Sequence, residues 1–384
     1  MKILNVNHLL DPYSGGGTAE RTFQLSRFLS KAGASCKIAT LDIGIEKNRF
    51  SGLENLSVVA FPCLNRRYFV PRVSFSAMDR LVADADIVHL SGHWTLLNAL
   101  AYISCRKYRK PFVFCPAGAL KPFGRSILLK RLYDFLLGKK IAMNASACVA
   151  ITEEEGSDFS KYGVPSDRVV VIPNGICPED YELKASHAAV LLQEEQESYA
   201  GSPYILFLGR LSEIKGPDLL LDAFARVADR FPAMHLVFAG PDDGMLQSLT
   251  EKVTKLSLTG RVHFKGYIGG EAKLRLLRKA SLLAIPSRRE AMSIVILEAG
   301  ICRTPVLFTD TCGLESFAKD GAGTMVNASV DALAQGLAEI LTNDEAVSIK
   351  VEKLESIVRQ HYLWSMQAER YLALYARILE KVTE

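Results

Sequence analysis

The 384-residue sequence has no apolar run that approaches the roughly 18 residues needed for a membrane-spanning helix. Its eight cysteines form no Cys-x-x-Cys pair, and none has a histidine at the spacing of a metal site. A disulfide framework or a zinc site is therefore not expected, and a reducing cytoplasm is the simpler environment. Residues 1–7 turn polar too early for a secretory signal peptide, so we expect no leader.

The dinucleotide-binding fingerprint Gly-x-Gly-x-x-Gly is also missing. After the first predicted strand the chain instead has Gly15, Gly16 and Gly17, followed by a helical pattern from Ala19. No acidic residue closes the second predicted strand as a ribose partner should, which disfavours a nicotinamide enzyme. The glycines fit a flexible turn or, as we prefer, a place where backbone amides approach a ligand closely.

The length exceeds that of one ordinary hydrophobic core and predicts two α/β domains. Apolar runs alternate with helical patterns along the chain, as in doubly wound parallel sheets. The predicted strands are residues 2–7, 36–41, 56–61, 87–90, 112–115, 147–151, 169–172, 204–208, 235–239, 262–264, 281–286, 306–309 and 322–326. We expect an N-terminal Rossmann-like domain (1–180), a linker (181–202), a C-terminal Rossmann-like domain (203–361) and a last helix (about 362–384) that packs back on the first domain.

The positive charge lies in the front half of the chain. Residues 1–176 contain 23 Lys and Arg against 14 Asp and Glu, a balance of +9, whereas the remainder has a balance of −5. The densest basic region is 106–140, and within it residues 125–140 alternate leucines and cations at helical spacing. Such a helix fits an anionic membrane surface or, equally well, a core-packed helix with a solvated basic face. No nucleic-acid-binding signature accompanies the charge, and we expect no nucleic-acid partner.

The stretch 287–300 joins a buried strand to an apolar helix and is the best candidate for a binding site. Ser293 is a plausible N-cap, so the amides of Ile294 and Val295 would face outward and attract an anion such as phosphate. Glu290 precedes the helix and Glu298 lies about two turns inside it. The pair could meet hydroxyls at two places on an elongated ligand, although two surface glutamates on an ordinary strand–loop–helix remain the alternative.

A second cationic site follows the predicted strand 204–208. Arg210 and Lys215 flank its carboxyl end, where a planar guanidinium and a point charge together suit a diphosphate. Gly209, Gly240 and Gly266 end successive strands of the predicted C-terminal sheet. Doubly wound sheets bind ligands at these carboxyl edges.

These motifs, in this order, resemble the GT-B glycosyltransferases, specifically the retaining enzymes of family 4, the group 1 transferases. The resemblance covers essentially the whole chain and is strongest over 204–326. It rests on the Glu-x7-Glu spacing of Glu290 and Glu298, on Gly209-Arg210-Leu211 with Lys215-Gly216, and on Pro173-Asn174-Gly175. It implies two doubly wound Rossmann-like domains with a donor cleft between them, and transfer of a sugar from a UDP- or GDP-linked donor to an acceptor hydroxyl.

The resemblance also implies residue roles. Arg210 and Lys215 would hold the donor diphosphate without a required metal or other cofactor, and Glu290 would contact the transferred sugar. Further implied donor contacts are Glu298 for the ribose, the amides of Ser293, Ile294 and Val295 for sugar and phosphate, Gly266 and Tyr267 near the base, and Gly16 and Gly17 from the first domain. The family's common Glu-Gly-Phe-Gly is here Glu290-Ala291-Met292-Ser293, so the identity of the sugar is not implied.

Two other functions compete with this interpretation. A sugar-nucleotide epimerase of related fold would need acid and base groups around the sugar, and the sequence offers no clear set. A solute-binding protein that closes on a sugar would not need Arg210 and Lys215 beside Glu290 and Glu298. A non-catalytic relative that only binds sugar or nucleotide stays open.

Fewer sequence features indicate what the acceptor is and where it binds. His89 and His93 lie near the carboxyl end of the predicted strand 87–90 in the first domain, and we name them as acceptor-side candidates. The basic region 106–140 and the expected cytoplasmic location favour a glycan or lipid-linked acceptor at a membrane, as in surface polysaccharide, lipopolysaccharide or glycolipid synthesis. A soluble acceptor is the alternative.

Overall fold

A computed structural model describes residues 1–45, 47–122, 126–182 and 201–383. The chain forms two compact units: unit 1 is Met1–Gly175 with Trp364–Glu384, and unit 2 is Ile176–Leu363. The predicted linker 181–202 lies almost entirely outside the described residues. Within the described ranges, no helix has both the length and the apolar character needed to cross a membrane.

Unit 1 contains nine strands and seven α-helices among the residues that the structure describes. In chain order they are β1 (Lys2–Val6), α1 (Pro12–Lys31), β2 (Ser35–Leu41), β3 (Leu56–Phe61), β4 (Cys63–Asn65), β5 (Val70–Pro71), α2 (Phe75–Asp84), β6 (Ile87–Ser91), α3 (Leu96–Lys107), β7 (Phe112–Cys115), α4 (Ile127–Tyr133), α5 (Lys139–Asn144), β8 (Ala147–Ala150), α6 (Glu153–Asp158), β9 (Val169–Val171) and the final helix Trp364–Thr383. A π-helical turn, Asp134–Gly138, joins α4 to α5.

Unit 2 contains six strands and seven helices among its described residues. They are β10 (Tyr204–Leu208), α7 (Pro217–Val227), β11 (His235–Ala239), α8 (Leu246–Lys255), β12 (Val262–Phe264), α9 (Gly270–Lys279), β13 (Leu282–Ile285), α10 (Ile294–Cys302), β14 (Val306–Thr309), α11 (Glu315–Lys319), β15 (Thr324–Val326), α12 (Val330–Ile340) and α13 (Asp344–His361). The final helix Trp364–Thr383 of unit 1 is α14.

Both main sheets are parallel. The sheet of unit 1 has the strand order β3-β2-β1-β6-β7-β8-β9, and that of unit 2 has the order β12-β11-β10-β13-β14-β15. Crossover helices cover both faces, so the strands are apolar runs buried on both sides, as in β6 and β13. The predicted fold class, two doubly wound α/β domains, is confirmed.

The order of strands reverses between β1 and β6 in unit 1, and between β10 and β13 in unit 2. At such a reversal the loops that leave the two strands diverge to opposite faces of the sheet and open a crevice at the carboxyl edge. Ligand sites of doubly wound folds lie in this crevice. The candidate residues that follow β10 and β13 therefore lie at the crevice of unit 2.

Three local expectations need correction. No strand is predicted between residues 61 and 87, but this segment contains the β4–β5 hairpin and then α2, which begins where Ser74 caps the amide of Ala77. The first helix begins at Pro12 instead of Ala19, because Asp11 accepts from the amides of Tyr13 and Ser14, and the helix is broken at Gly16. The helix predicted for 125–140 is instead α4, the π-helical turn and α5.

Helix α14 completes the core of unit 1. Its Tyr371 and Tyr375 are fully buried, and the hydroxyl of Tyr371 accepts from the guanidinium of Arg21 in α1. The hydroxyl of Tyr375 lies 2.7 Å from Nδ1 of His89 in β6. The last helix is thus fixed to the first helix and to a central strand by buried polar contacts as well as by apolar packing.

Candidate functional site

The residues that follow β10 and β13 meet at the carboxyl edge of unit 2, at the strand-order reversal. The amide of Arg288 donates to the carbonyl of Ile214 at 2.7 Å, which links the two loops directly. Two side-chain bonds of the Arg288 guanidinium to Asp218, at 2.8 and 2.6 Å, form a planar fork with the carboxylate. Burial alone raises the pKa of Asp218, but the bonds to Arg288 outweigh it and hold that pKa below its usual value.

An ion pair occupies the centre of this edge. Nζ of Lys215 lies 2.6 Å from Oε1 of Glu290, and the hydroxyl of Ser287 donates to Oε2 at 3.0 Å. The amide of Glu290 donates to the carbonyl of Thr311 at 2.8 Å. Loops from three neighbouring strands therefore fix one carboxylate and one ammonium group in contact, both only partly exposed.

A thiol close to this pair is not a nucleophile. Burial, together with the nearby Glu290 carboxylate, raises the pKa of Cys312 to about 12. Cys312 therefore stays protonated at neutral pH, and it is inert because the thiolate is the reactive form of cysteine. The chemistry of this edge therefore belongs to its charged and hydroxyl groups.

The start of α10 provides the second part of the site. Ser293 has the extended backbone of an N-cap, but its hydroxyl makes no cap bond and is buried without a partner among the described residues. The first-turn amides of Ile294 and Val295 have no preceding turn to accept their hydrogens. This helix start therefore presents a hydroxyl and backbone donors suited to an anionic ligand.

Glu298 lies on the same helix and is 5% exposed. Its Oε1 is 2.9 Å from Nζ of Lys273 in α9, whereas its Oε2 is buried with no hydrogen-bond partner in the described structure. A buried carboxylate oxygen without a partner costs free energy unless a ligand supplies a donor. Hydroxyl groups of a sugar would do so.

The loop after β10 is packed closely against the loop after β11. Gly240 has φ +152°, and a Cβ there would lie 1.8 Å from the carbonyl oxygen of Gly209. Only glycine fits this approach, which leaves the two carboxyl ends side by side. Beside them Arg210 is half exposed, with its nearest acid Asp243 at 3.7 Å.

Gly266 follows β12 with φ +65°, and its carbonyl accepts from the amide of Gly240 at 2.7 Å. The neighbouring Tyr267 is 48% exposed. These two residues therefore continue the same carboxyl edge outward from β10 through β11 to β12.

The other predicted residues belong to unit 1. Gly16, with φ +53°, and Gly17 lie at the break in α1. His89 does not reach the carboxyl edge as expected, because it is the third residue of β6 and its ring is fully buried against Tyr371 and Tyr375. Burial and then the charge of Arg21 lower the pKa of His89 to about 3, so the imidazole is neutral.

His93, in contrast, lies just beyond the carboxyl end of β6. Its Nε2 is 2.7 Å from Oδ1 of Asp134, which also accepts from Nε1 of Trp94 at 3.0 Å. The hydroxyl of Tyr162 lies 3.0 Å from Oδ2. Trp94 has φ +53°, a strained conformation for a bulky residue that these contacts hold in place.

The structure places Lys215 in direct contact with Glu290 and sets the glycines at the strand ends, Gly209, Gly240 and Gly266, side by side. Arg210 follows β10 at the same carboxyl edge, Ser293 precedes α10 and Glu298 lies within it. The structure adds Ser287 and Lys273 beside the two glutamates, and Asp134 beside His93. Sequence spacing could not find Lys273 or Asp134, because each meets its partner only through tertiary packing.

Comparison with protein-family models gives two matches. The model described as glycosyl transferases group 1 matches residues 191–361. The model described as glycosyltransferase family 4 matches residues 15–180. Between them they account for most of the chain.

Curated relatives include D-inositol 3-phosphate glycosyltransferases. The one from Nocardia farcinica is 34% identical over 257 residues, 62% of this chain and 54% of its own length. The one from Xylanimonas cellulosilytica is 23% identical over 402 residues, 95% of this chain and 93% of its own. Against the Nocardia protein this chain therefore spans just over half of the relative's length.

Solved structures share the fold. HepE of Anabaena, in complex with UDP and glucose, superposes with a TM-score of 0.82 at 19% identity, covering 98% of this chain and 100% of that one. WaaG, a glycosyltransferase involved in lipopolysaccharide biosynthesis, gives a TM-score of 0.69 at 18% identity, with 96% and 98% covered.

Proposed function

This chain belongs to the group 1 glycosyltransferases of family 4, with their GT-B fold, and we propose that it transfers a hexosyl residue from a UDP- or GDP-linked donor to an acceptor hydroxyl with retention of configuration. The observation that carries the proposal is the carboxyl edge shared by β10 and β13. There Lys215 pairs with Glu290, and the half-exposed Arg210 follows β10. The hydroxyl of Ser293 before α10 and one carboxylate oxygen of Glu298 within it are buried and unsatisfied in the described structure.

The donor diphosphate would bind Lys215 and Arg210. The ammonium supplies a point charge and the half-exposed guanidinium a planar fork, and both match phosphate oxygens. The first-turn amides of α10 add donors and the positive end of the helix dipole. The diphosphate would then compete with Glu290 for the ammonium of Lys215.

Glu290 would bind hydroxyls of the transferred sugar, and Glu298 those of the ribose. Lys215 and Ser287 hold the two oxygens of Glu290, and Lys273 holds Oε1 of Glu298, which fixes the orientation of each carboxylate. The free Oε2 of Glu298 accepts a ribose hydroxyl and so removes an unsatisfied buried acceptor. Gly266 and Tyr267 would lie near the base.

The reaction breaks the bond between the anomeric carbon and the donor phosphate oxygen and forms one to the acceptor oxygen. We infer front-face attack, in which the departing phosphate accepts the acceptor's proton, so no protein base is assigned. Charge that develops on the leaving phosphate is stabilised by Lys215, Arg210 and the α10 amides. These groups would make a metal ion unnecessary.

The acceptor would be a glycan or lipid-linked saccharide in surface polysaccharide, lipopolysaccharide or glycolipid synthesis at the cytoplasmic face of a membrane. Support comes from the basic character of unit 1 and from the lipopolysaccharide pathway named for WaaG. His93, at the carboxyl end of β6 beside the strand-order reversal, is the retained acceptor-side candidate. His89 is too deeply buried to contact an acceptor.

The test is slow hydrolysis of a panel of UDP- and GDP-sugars, with and without a metal chelator. Native protein is expected to hydrolyse one donor in both conditions, whereas Glu290→Gln and Arg210→Ala lose at least about 100-fold. Matched controls are Glu352→Gln and Arg230→Ala, two exposed residues of unit 2. Tight binding of a nucleoside diphosphate without turnover, even with acceptor extracts, would indicate a non-catalytic relative, and loss on chelation would refute metal independence.

A further inference from the structure

The outer side of the segment 127–143 is an exposed apolar surface. Its side chains, each at least 40% exposed, are Ile127, Leu128, Leu129, Leu132, Phe135, Leu136 and Met143. Leu128 and Phe135 are the extremes, at 79% and 78%. We call these residues the outer face. Leaving so many large apolar groups in water is costly, and a contiguous patch of this kind marks an interaction surface.

Cations border the outer face. Arg131, Lys139 and Lys140 are exposed on the same helical segment, whereas its one acid, Asp134, is turned inward. Lys130 also turns inward, with its ammonium 4.7 Å from the centre of the Trp94 ring. The exposed charge of the segment is therefore wholly positive among the residues that the structure describes.

The inner side of the segment is held rigidly, so the outer face cannot simply fold into the core. Asp134 bonds to His93 and Trp94, and the hydroxyl of Tyr133 donates to the carbonyl of Thr95 at 3.1 Å. Gly138 packs where a Cβ would lie 2.9 Å from the imidazole of His93. Asp134 and Gly138 begin and end the π-helical turn, which is wider by one residue than an α-turn, and both are buried.

We propose that the outer face docks unit 1 on an anionic phospholipid surface, with leucines and Phe135 in the interface and Arg131, Lys139 and Lys140 on the headgroups. This rests on the proposed function, for which it specifies a lipid-linked acceptor. Large apolar groups flanked only by cations match a negatively charged bilayer, whose headgroups and acyl chains offer both complements together. Neither the core-packed helix nor a simply solvated basic helix leaves Leu128 and Phe135 exposed.

The contact between His93 and Asp134 places the docking segment beside the acceptor-side candidate of unit 1. His93 belongs to the carboxyl edge at which β1 and β6 diverge, and it contacts Asp134 in the docking segment directly. A saccharide whose lipid tail stays in the bilayer would therefore be presented beside that edge. The class of acceptor that fits is an amphiphile.

The experiment measures binding of the full chain to vesicles by co-sedimentation, using phosphatidylcholine alone or mixed with phosphatidylglycerol. The triple variant Arg131→Gln, Lys139→Gln, Lys140→Gln is expected to bind mixed vesicles on the order of 100-fold more weakly. Its control, Arg230→Gln, Lys255→Gln, Lys319→Gln, removes the same charge from exposed sites of unit 2 and should bind as the native chain does.

The apolar contribution is tested separately. Leu128→Ser with Phe135→Ser should lose at least roughly ten-fold in vesicle affinity even at low salt. Leu64→Ser with Phe75→Ser, which changes two residues of unit 1 that are 64% and 61% exposed, should lose little. Equal losses in the two pairs, or equal binding of native protein to neutral and anionic vesicles, would overturn the proposal.

Two further readouts separate the possible failures. Light scattering that shows a native dimer, dissolved by Leu128→Ser with Phe135→Ser, without vesicle binding would assign the outer face to a second copy and overturn the proposal. Slow hydrolysis of a soluble donor is expected to be unchanged in all four variants. Vesicle binding without any donor hydrolysis would thus count against the proposed reaction while it supports the docking surface.

Discussion

Replacement of Glu290 by glutamine should move two properties of the enzyme in opposite directions. The Glu290 carboxylate holds the ammonium of Lys215 at 2.6 Å. A nucleoside diphosphate must compete with that carboxylate for the same cation. Glu290→Gln removes the competitor, so UDP or GDP alone should bind more tightly. The proposed sugar transfer should slow, because in that proposal the carboxylate binds the sugar.

The magnitude follows from the exposure of the pair. The two side chains are 26% and 13% exposed, between a surface ion pair and a fully desolvated one. The pair is then worth about 1–2 kcal/mol, which corresponds to roughly ten-fold tighter nucleotide binding in the variant. Loss of correct positioning of the sugar should lower the turnover number by about 100-fold or more.

Titration calorimetry with UDP and GDP measures the first effect and donor hydrolysis measures the second. Glu251→Gln, an exposed residue of α8, removes the same charge from unit 2 and should alter nucleotide affinity less than about two-fold. Glu298→Gln should weaken nucleotide binding, because the proposed ribose contact would be lost. The reasoning is refuted if Glu290→Gln weakens nucleotide binding as Glu298→Gln does, since Lys215 would then not be the shared partner.

Two stability predictions concern the scaffold. Gly313 has φ +69°, and a Cβ there would lie 1.8 Å from the carbonyl oxygen of Ala291. Gly313→Ala should therefore lower the free energy of unfolding in urea by about 2–4 kcal/mol. Gly260→Ala, whose added Cβ meets nothing within 4 Å, should change it by less than about 0.5 kcal/mol, and equal effects of the two substitutions would contradict this reasoning. Burial lowers the pKa of His89 from 6.5 to about 3, so the imidazole is neutral in the folded protein. Below pH 6.5 the unfolded chain therefore binds one more proton than the folded chain. The free energy of unfolding should fall by up to about 1.4 kcal/mol for each pH unit of acidification down to the folded pKa. In urea melts between pH 6.5 and 5, His89→Gln should reduce the pH dependence of the unfolding free energy by up to about one bound proton. An unchanged pH dependence would show that another group causes it.

Most of the parallel strands were predictable because they are short, largely apolar runs that end near glycine, proline or a polar residue, as β6, β10 and β13 do. The same regularity nominated residues for one edge of unit 2. In a doubly wound sheet the residues that follow the strands share the carboxyl edge, and β10, which precedes Arg210, is adjacent to β13, which precedes Glu290. The helix start at Ser293 followed from its own local sequence.

What the sequence could not supply depends on contacts between distant segments. His89 and His93 look equivalent in sequence, but the strand β6 ends between them, so one ring is enclosed by α14 and the other reaches the edge. The periodicity over 125–140 predicted a helix with two different sides, but it did not determine which side packs against the core. That choice is made by the buried contacts of Asp134, the one acid among many cations.

The position of α14 in the chain has a consequence for biosynthesis. Tyr371 and Tyr375 complete the core of unit 1, yet the ribosome makes them only after the whole of unit 2. At about 5–20 residues per second, residues 1–175 wait roughly 10–40 s for their last helix. Unit 2 is continuous in sequence and can fold during that interval, whereas the nascent unit 1 exposes the groove around Arg21 and His89 to chaperones and proteases. A pulse-labelled chain should therefore acquire protease resistance first in unit 2, although unit 1 leaves the ribosome first.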